Sequence, residues 1–159
     1  MNKIVDILGE EKLFDCMGCD IGSHKMTPPG GLIYEDDLYT VSQDPEIPIV
    51  GFMILGIKRH IKSINELSRD ERIKLMDILN LTIENMKNIG LCSEVMLLEE
   101  ERSSHFHMWI MPILPWMDKF DKNARNIDDI INYSYEIYND EVKEELLNTI
   151  DKLKEKFKK

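Results

Sequence analysis

His105-Phe106-His107-Met108-Trp109-Ile110-Met111-Pro112 is the stretch on which the reading of the fold turns. Side chains alternate along a strand, so His105, His107 and Trp109 share one face and Phe106, Met108 and Ile110 the other. The apolar set reads as core. The histidine set reads as a face that can carry chemistry, because imidazole is a nucleophile, a proton carrier and a metal ligand in one ring. A pair of half-exposed strand histidines without a chemical role fits the same spacing.

Upstream, Val95 to Glu100 reads as a strand joined to the histidine strand by a tight turn at Glu101-Arg102-Ser103. Before it, Ser68-Arg69-Asp70-Glu71 is a capping box that opens a helix, and Gly90 ends that helix. Its predicted apolar stripe is Ile73, Met76, Leu79 or Asn80, Ile83 and Met86. Gly51 opens a largely apolar strand, Phe52 to Ile57, and Asp44 to Val50, with two prolines, reads as loop. Leu32 to Glu35 and Leu38 to Ser42 form a hairpin about Asp36-Asp37.

Residues 2–8 read as a short helix stopped by Gly9, and residues 13–31 as a loop. Beyond Pro112 and Pro115 the chain leaves the sheet, and 126–138 and 140–157 read as helices. The second carries the stripe Val142, Leu146, Leu147, Ile150, Leu153 and Phe157. The order α, ββ, β, α, ββ, αα predicts an α+β fold, an antiparallel sheet with helices packed on it. The expected division is a domain over 1–120 with a C-terminal helical extension, 121–159, packed on it.

Composition narrows the function. The chain has 159 residues, 43% of them hydrophobic, enough for one domain with a real core. Its three cysteines form no disulfide framework, which points to a reducing, cytoplasmic setting. Residues 1–14 mix charged and apolar residues and are not expected to be a signal peptide. No run of about 18 apolar residues exists, so no membrane partner is expected. A net charge of −10 argues against duplex nucleic acid. It leaves room for a small nucleotide, because local backbone N–H groups can hold phosphate against an unfavourable global field.

These blocks together resemble the histidine triad superfamily. Its signature, His-φ-His-φ-His-φ-φ with φ apolar, is met over residues 105–111 except at Trp109, which stands at the third histidine. Tyr34-Glu35-Asp36-Asp37 resembles the family's early strand and turn. Ile57-Lys58-Arg59-His60-Ile61, followed by Ser63 to Ser68, resembles its Lys-Arg-His-Ile and Leu-Ser block. The resemblance covers residues 13–116. Two further positions depart from it. Phe52 stands where a histidine usually follows glycine, and an acid, Asp44, stands near an asparagine that helps hold ribose or phosphate. The galactose-1-phosphate uridylyltransferase branch also lacks the third histidine.

The resemblance implies that His107, the middle histidine, attacks the α-phosphate of a nucleotide. A neutral imidazole is competent for this, and a covalent intermediate splits one hard displacement into two. Ser103 and Ser104 are candidate phosphate contacts, although plain turn chemistry accounts for both. Arg102, between acids, reads as a solvated pair. Trp109 reads as core filler and pocket wall, and Asp44 as a further substrate contact.

Cys16-Met17-Gly18-Cys19 is a C-x₂-C that by itself fits a redox pair or chance. With the resemblance, Cys16, Cys19, His60 and His105 make a Cys₂His₂ set expected to hold one structural zinc with no open coordination position. His24 is a spare candidate in the loop, and Cys92 an ordinary small apolar residue. The expected activity is that of a nucleotide hydrolase or nucleotidyl transferase using a covalent histidine, on a dinucleoside polyphosphate or nucleoside phosphoramidate. The alternative is a nucleotide-binding module of the same fold. A homodimer through the helix at 69–88 and a sheet edge is implied as well.

Overall fold

A computed structural model describes residues 1–121 and 124–159. Its centre is a five-stranded antiparallel sheet, β3 (Tyr34–Glu35), β4 (Tyr39–Gln43), β5 (Met53–Ile57), β7 (His107–Pro112) and β6 (Val95–Leu98), in that spatial order. A separate hairpin pairs β1 (Asn2–Val5) with β2 (Glu11–Phe14). The helices are α1 (Met17–Gly22), α2 (Arg69–Asn88), α3 (Ile127–Ile137) and α4 (Asp140–Phe157). The architecture is the predicted α+β.

Strand register explains the two faces. Thr40 pairs with Gly56 and Gly56 with His107, while Ser42 pairs with Ile54 and Ile54 with Trp109. These residues share the face bearing the histidines. The alternate residues Tyr39, Val41, Leu55, Ile57 and Ile110 are essentially inaccessible and form the core. Tyr39 also donates its hydroxyl to the Glu71 carbonyl at 2.7 Å, tying the sheet to α2. Leu146, Ile150 and Leu153 of α4 lie in the same apolar core, and α4 packs against α2. Among the described residues no helix is long and apolar enough to cross a membrane.

Four local expectations need correction. Residues 2–8 are not a helix: β1 turns back through Gly9, whose φ of 81° suits glycine, into β2. The 13–31 segment is not all loop, since α1 begins directly after Cys16. The link from β6 to β7 is residues 99–106, longer than a tight turn, and places His105 just ahead of the strand rather than on it.

The last correction concerns the start of the predicted α2 stripe, since its later members Leu79 and Met86 are buried and Ile83 packs on the core as expected. Ile73 and Met76 are 50% and 59% exposed, while Leu75, Ile78, Leu79, Thr82, Asn85 and Met86 are buried. An apolar residue at nearly every turn position made two phases compatible with the sequence. The capping box forms as predicted. Ser68 Oγ accepts from Glu71 N at 3.2 Å and Glu71 Oε2 from Ser68 N at 2.7 Å, and Gly90 follows the helix at φ 78°.

Candidate metal centre and phosphate cleft

Three short segments converge at one corner of the sheet. The β1–β2 hairpin delivers Cys16, the N-cap residue of α1, and Cys19 in its first turn. The chain leaving β5 supplies His60, and the approach to β7 supplies His105. All four ligand atoms lie within 4.8 Å of one another. Cys16 Sγ is 3.5 Å from His60 Nδ1 and 3.4 Å from His105 Nδ1. Cys19 Sγ is 3.3 and 3.5 Å from the same atoms, and the two Nδ1 atoms are 3.3 Å apart.

Zinc bonds of about 2.3 Å to sulfur and about 2.0 Å to nitrogen put the corners of a tetrahedron about 3.3–3.8 Å apart. The observed separations match those edges, so the donor set and its size both fit a closed structural zinc site. Such an ion would be held by Cys16, Cys19, His60 and His105. It would supply the positive charge that keeps both sulfurs as thiolates. Without that charge, burial and the neighbouring Cys16 thiol push Cys19 up to about 11.

His105 is aimed by its second nitrogen, because Nε2–H donates to the Ile57 carbonyl at 2.6 Å and leaves Nδ1 free for the cluster. Burial, with His60 and His107 nearby, lowers its pKa and favours the neutral ring a ligand needs. The glycine inside the C-x₂-C has a steric reason, since a Cβ at Gly18 would fall on the His105 ring. His24 is not a ligand: it is exposed and lies 2.7 Å from Glu35 Oε1. Cys92 packs partly buried against the core, as expected.

The His105 carbonyl leads from this corner to the second histidine. It accepts from His107 Nδ1 at 2.9 Å and from Ser103 Oγ at 3.0 Å. His107 is thereby held in the tautomer whose Nε2 carries the lone pair. Its ring is half-buried and lines a cleft of about 260 Å³ together with Thr40, Ser42, Asp44, Gly56 and Trp109. His105, Ser103 and Ser104 border the same cleft.

Ser103 spends its hydroxyl proton on the strand entry, whereas Ser104 is exposed at the rim. Asp44 is 4% exposed, and its Oδ1 accepts from the amides of Glu46 and Ile47 at 2.8 Å each. Burial pushes its carboxyl up to about 6 against those two bonds. Arg102 pairs with Glu100 at 2.8 Å in solvent, as its acidic neighbours suggested.

The two aromatic departures pack on each other, and only Trp109 lines the cleft. The Phe52 and Trp109 rings stand edge to face with centroids 5.4 Å apart, and Trp109 lies 6.1 Å from the His107 ring. Trp109 Nε1 is buried and has no hydrogen-bond partner among the described residues. Thr40, Ser42 and Gly56 escaped the sequence reading. The alternation Thr40-x-Ser42-x-Asp44 was the available signal, but only the β4–β5–β7 register places it beside His107.

Comparison with solved structures agrees with this geometry. A Hit-like protein involved in cell-cycle regulation from Bartonella henselae superposes with a TM-score of 0.63 at 14% identity, covering 91% of this chain and 99% of that one. The fold is that of the histidine triad proteins. A hypothetical histidine triad nucleotide-binding protein from Sulfolobus tokodaii gives 0.57 at 19% identity, covering 87% of this chain and 94% of its own. A zinc-bound histidine triad family protein from Mycobacterium smegmatis gives 0.60 at 14% identity, covering 87% and 95%. No sequence-family model matches the chain, and no curated protein sequence does. The histidine triad fold is therefore evident in three dimensions where sequence identity is low.

Proposed function

We propose that the protein hydrolyses or transfers a nucleotidyl group through a covalent intermediate on His107. One observation carries this reading: His107 Nδ1–H is fixed to the His105 carbonyl, which leaves the Nε2 lone pair free on a ring that lines a cleft. Nε2 attacks the α-phosphorus and forms a P–N bond. The bond from phosphorus to the leaving group breaks, its electron pair departs with that group, and solvent supplies the group's proton. For hydrolysis, a water oxygen then bonds to phosphorus, the P–Nε2 bond breaks, the water proton goes to solvent and His107 regains its lone pair.

Trp109 walls the cleft beside the His107 ring. Ser104 at the rim and the loop at Asp44 complete the substrate contacts. Zinc at Cys16, Cys19, His60 and His105 holds the strand entry that aims His107. The zinc-bound mycobacterial protein of the same fold supports that part.

Exposed Ile73 and Met76 on α2, with Leu97 on the edge strand β6, suit a two-fold pairing of chains. Light scattering should then report twice the 18.7 kDa chain mass, and a clean monomer contradicts it.

The test of the activity is turnover of an adenosine 5′-phosphoramidate and a dinucleoside polyphosphate by wild type and His107→Ala. The variant should lose at least about 10³-fold in kcat while keeping its zinc and Tm. Full activity in the variant overturns the assignment. The Phe52–Trp109 pair supports a second reading, a binding module, because it puts apolar rings where the related pattern has two histidines. Nucleotide binding without turnover by wild type would select it.

A further inference from the structure

We propose that the zinc corner is a redox-operated clasp: peroxide joins Cys16 to Cys19 in a disulfide, the ion leaves, and one wall of the cleft comes loose from the sheet. The inference rests on the reading of the four residues as a zinc site. Those ligands divide by origin. Both sulfurs belong to one wall of the cleft, Cys16 as the N-cap of α1 and Cys19 in its first turn. Both nitrogens belong to the sheet side, His60 after β5 and His105 just before β7. The wall is the root of the N-terminal hairpin together with α1, and it lines the cleft with Asn2, Phe14, Met17 and Gly18. Thr40, Ser42, Gly56 and His107 line it from the sheet. The site therefore ties wall to sheet, and oxidation of the two sulfurs removes every ligand that the wall supplies.

The sulfurs are open to an oxidant and close enough to pair. Cys16 and Cys19 are half-buried and His60 is exposed. The two Sγ atoms lie within 4.8 Å of each other. One thiolate attacks a peroxide oxygen: an S–O bond forms, the O–O bond breaks and hydroxide leaves. The other thiolate attacks that sulfur: the S–S bond forms, the S–O bond breaks and a second hydroxide leaves. The two thiolates lose two electrons, and the peroxide, with two protons from solvent, becomes two waters. A dithiol reverses the change by exchange. Several ties do not pass through sulfur. His105 Nε2–H stays on the Ile57 carbonyl and His107 Nδ1–H on the His105 carbonyl. The hairpin tip stays docked, because Ile7 N–H donates to the Pro45 carbonyl at 2.8 Å and the Tyr138 hydroxyl donates to the Ile7 carbonyl. The open state is a loosened wall on an intact sheet. Cys92, the third thiol, lines a separate cavity with Ile113 and Pro115.

The test is hydrogen peroxide on zinc-loaded Cys92→Ser protein, which keeps only the two thiols of the clasp. Zinc is followed with a colorimetric chelator, the cysteines by peptide mass and the backbone by hydrogen exchange. About one zinc per chain should be released, in step with the loss of two hydrogens from the peptide spanning Cys16 and Cys19. A dithiol with added zinc should reverse both. Amides of β2 and α1 should exchange at least about tenfold faster in the oxidised protein, while those of β5 and β7 keep their rates. Cys19→His in the same background offers four donors but one thiol, and it should hold its zinc under this treatment. Zinc retained by the parent, zinc released with Cys16 and Cys19 unpaired, or release from Cys19→His at the parent's rate overturns the clasp. Unchanged exchange in α1, or faster exchange throughout the sheet, overturns it too. A protein that takes up no zinc at all overturns the zinc assignment and the clasp with it, whereas retention by loaded protein overturns the clasp alone.

Discussion

His105 and His107 are two residues apart and live in different chemistry. His105 is 4% exposed and every polar atom of its ring and carbonyl is engaged. Nδ1 faces the cysteine–histidine cluster, Nε2 donates to Ile57, and the carbonyl accepts from both Ser103 and His107. His107 is half-buried and has one ring nitrogen engaged, which leaves the other for a substrate. The difference teaches that the role of a histidine is set by which of its two nitrogens the fold has already used. At one corner the fold uses both and builds a scaffold. Two residues later it uses one, and leaves the other free for a substrate.

Breaking the scaffold should have the largest effect. Cys16→Ser removes one corner of the tetrahedron. It is expected to cost roughly 3 kcal/mol or more, because structural zinc binding is coupled to folding. Elemental analysis should fall from about one zinc per chain, with Tm falling alongside. A metal-free wild type as stable as the metal-loaded one contradicts the zinc assignment. Gly18→Ala presses a methyl on the His105 ring, including its ligand atom Nδ1, without removing a ligand. Metal affinity should drop at least tenfold, as when a supporting group behind a ligand is removed. An unchanged zinc titration would show that α1 can shift to make room.

On the cleft side the comparison is sharpened by Asp44. Its pKa is raised to about 6 in the folded protein from 3.8, so the folded state loses stability as pH rises from 3.8 to about 6, and the penalty for the buried anion is complete above that. Asp44→Asn keeps the side-chain oxygen that accepts from Glu46 and Ile47. It should stabilise by about 1–3 kcal/mol above pH 6, and the gain should vanish below pH 3.8. Thermal melts at pH 7.5 and pH 3.5 read this directly, and a pH-independent difference would contradict it.

The smallest effect belongs to Glu71, which caps α2 and holds Arg59, the neighbour of His60, through two oxygens at 2.8 Å each. The Arg59 guanidinium and the Ser68 amide hold its carboxyl at about 2, below the ordinary 4.5. Its contribution is therefore complete above pH 4.5 and lost as pH falls towards 2. Arg59 is about half exposed, so Glu71→Gln should cost only about 1 kcal/mol at pH 7. A loss of zinc in this variant would show that Arg59 aims His60 more tightly than the geometry implies.

The parts of the fold legible in the sequence are those with a local cause. The capping box, the Asp36-Asp37 hairpin and the two C-terminal helices follow from spacing and turn chemistry, and the structure has each of them. The N-terminal hairpin was hidden because Lys3-Ile4-Val5-Asp6 is too short for its period to distinguish strand from helix. The buried face of the first turns of α2 was hidden because Ile73 and Met76 put apolar residues on its outer side. The cysteine and histidine ligands were legible through the resemblance. Thr40 and Ser42 were not, because each matters only through a neighbour more than ten residues away in the chain.

Covalent catalysis by His107 requires a P–N bond to its ring. Wild type mixed in excess over an adenosine 5′-phosphoramidate, quenched at millisecond to second times and mapped by mass spectrometry, should show one adenylyl group on the peptide carrying His107. It should appear before free nucleotide, and be absent in His107→Ala. Turnover with no adduct at any time, or an adduct on another residue, would contradict it.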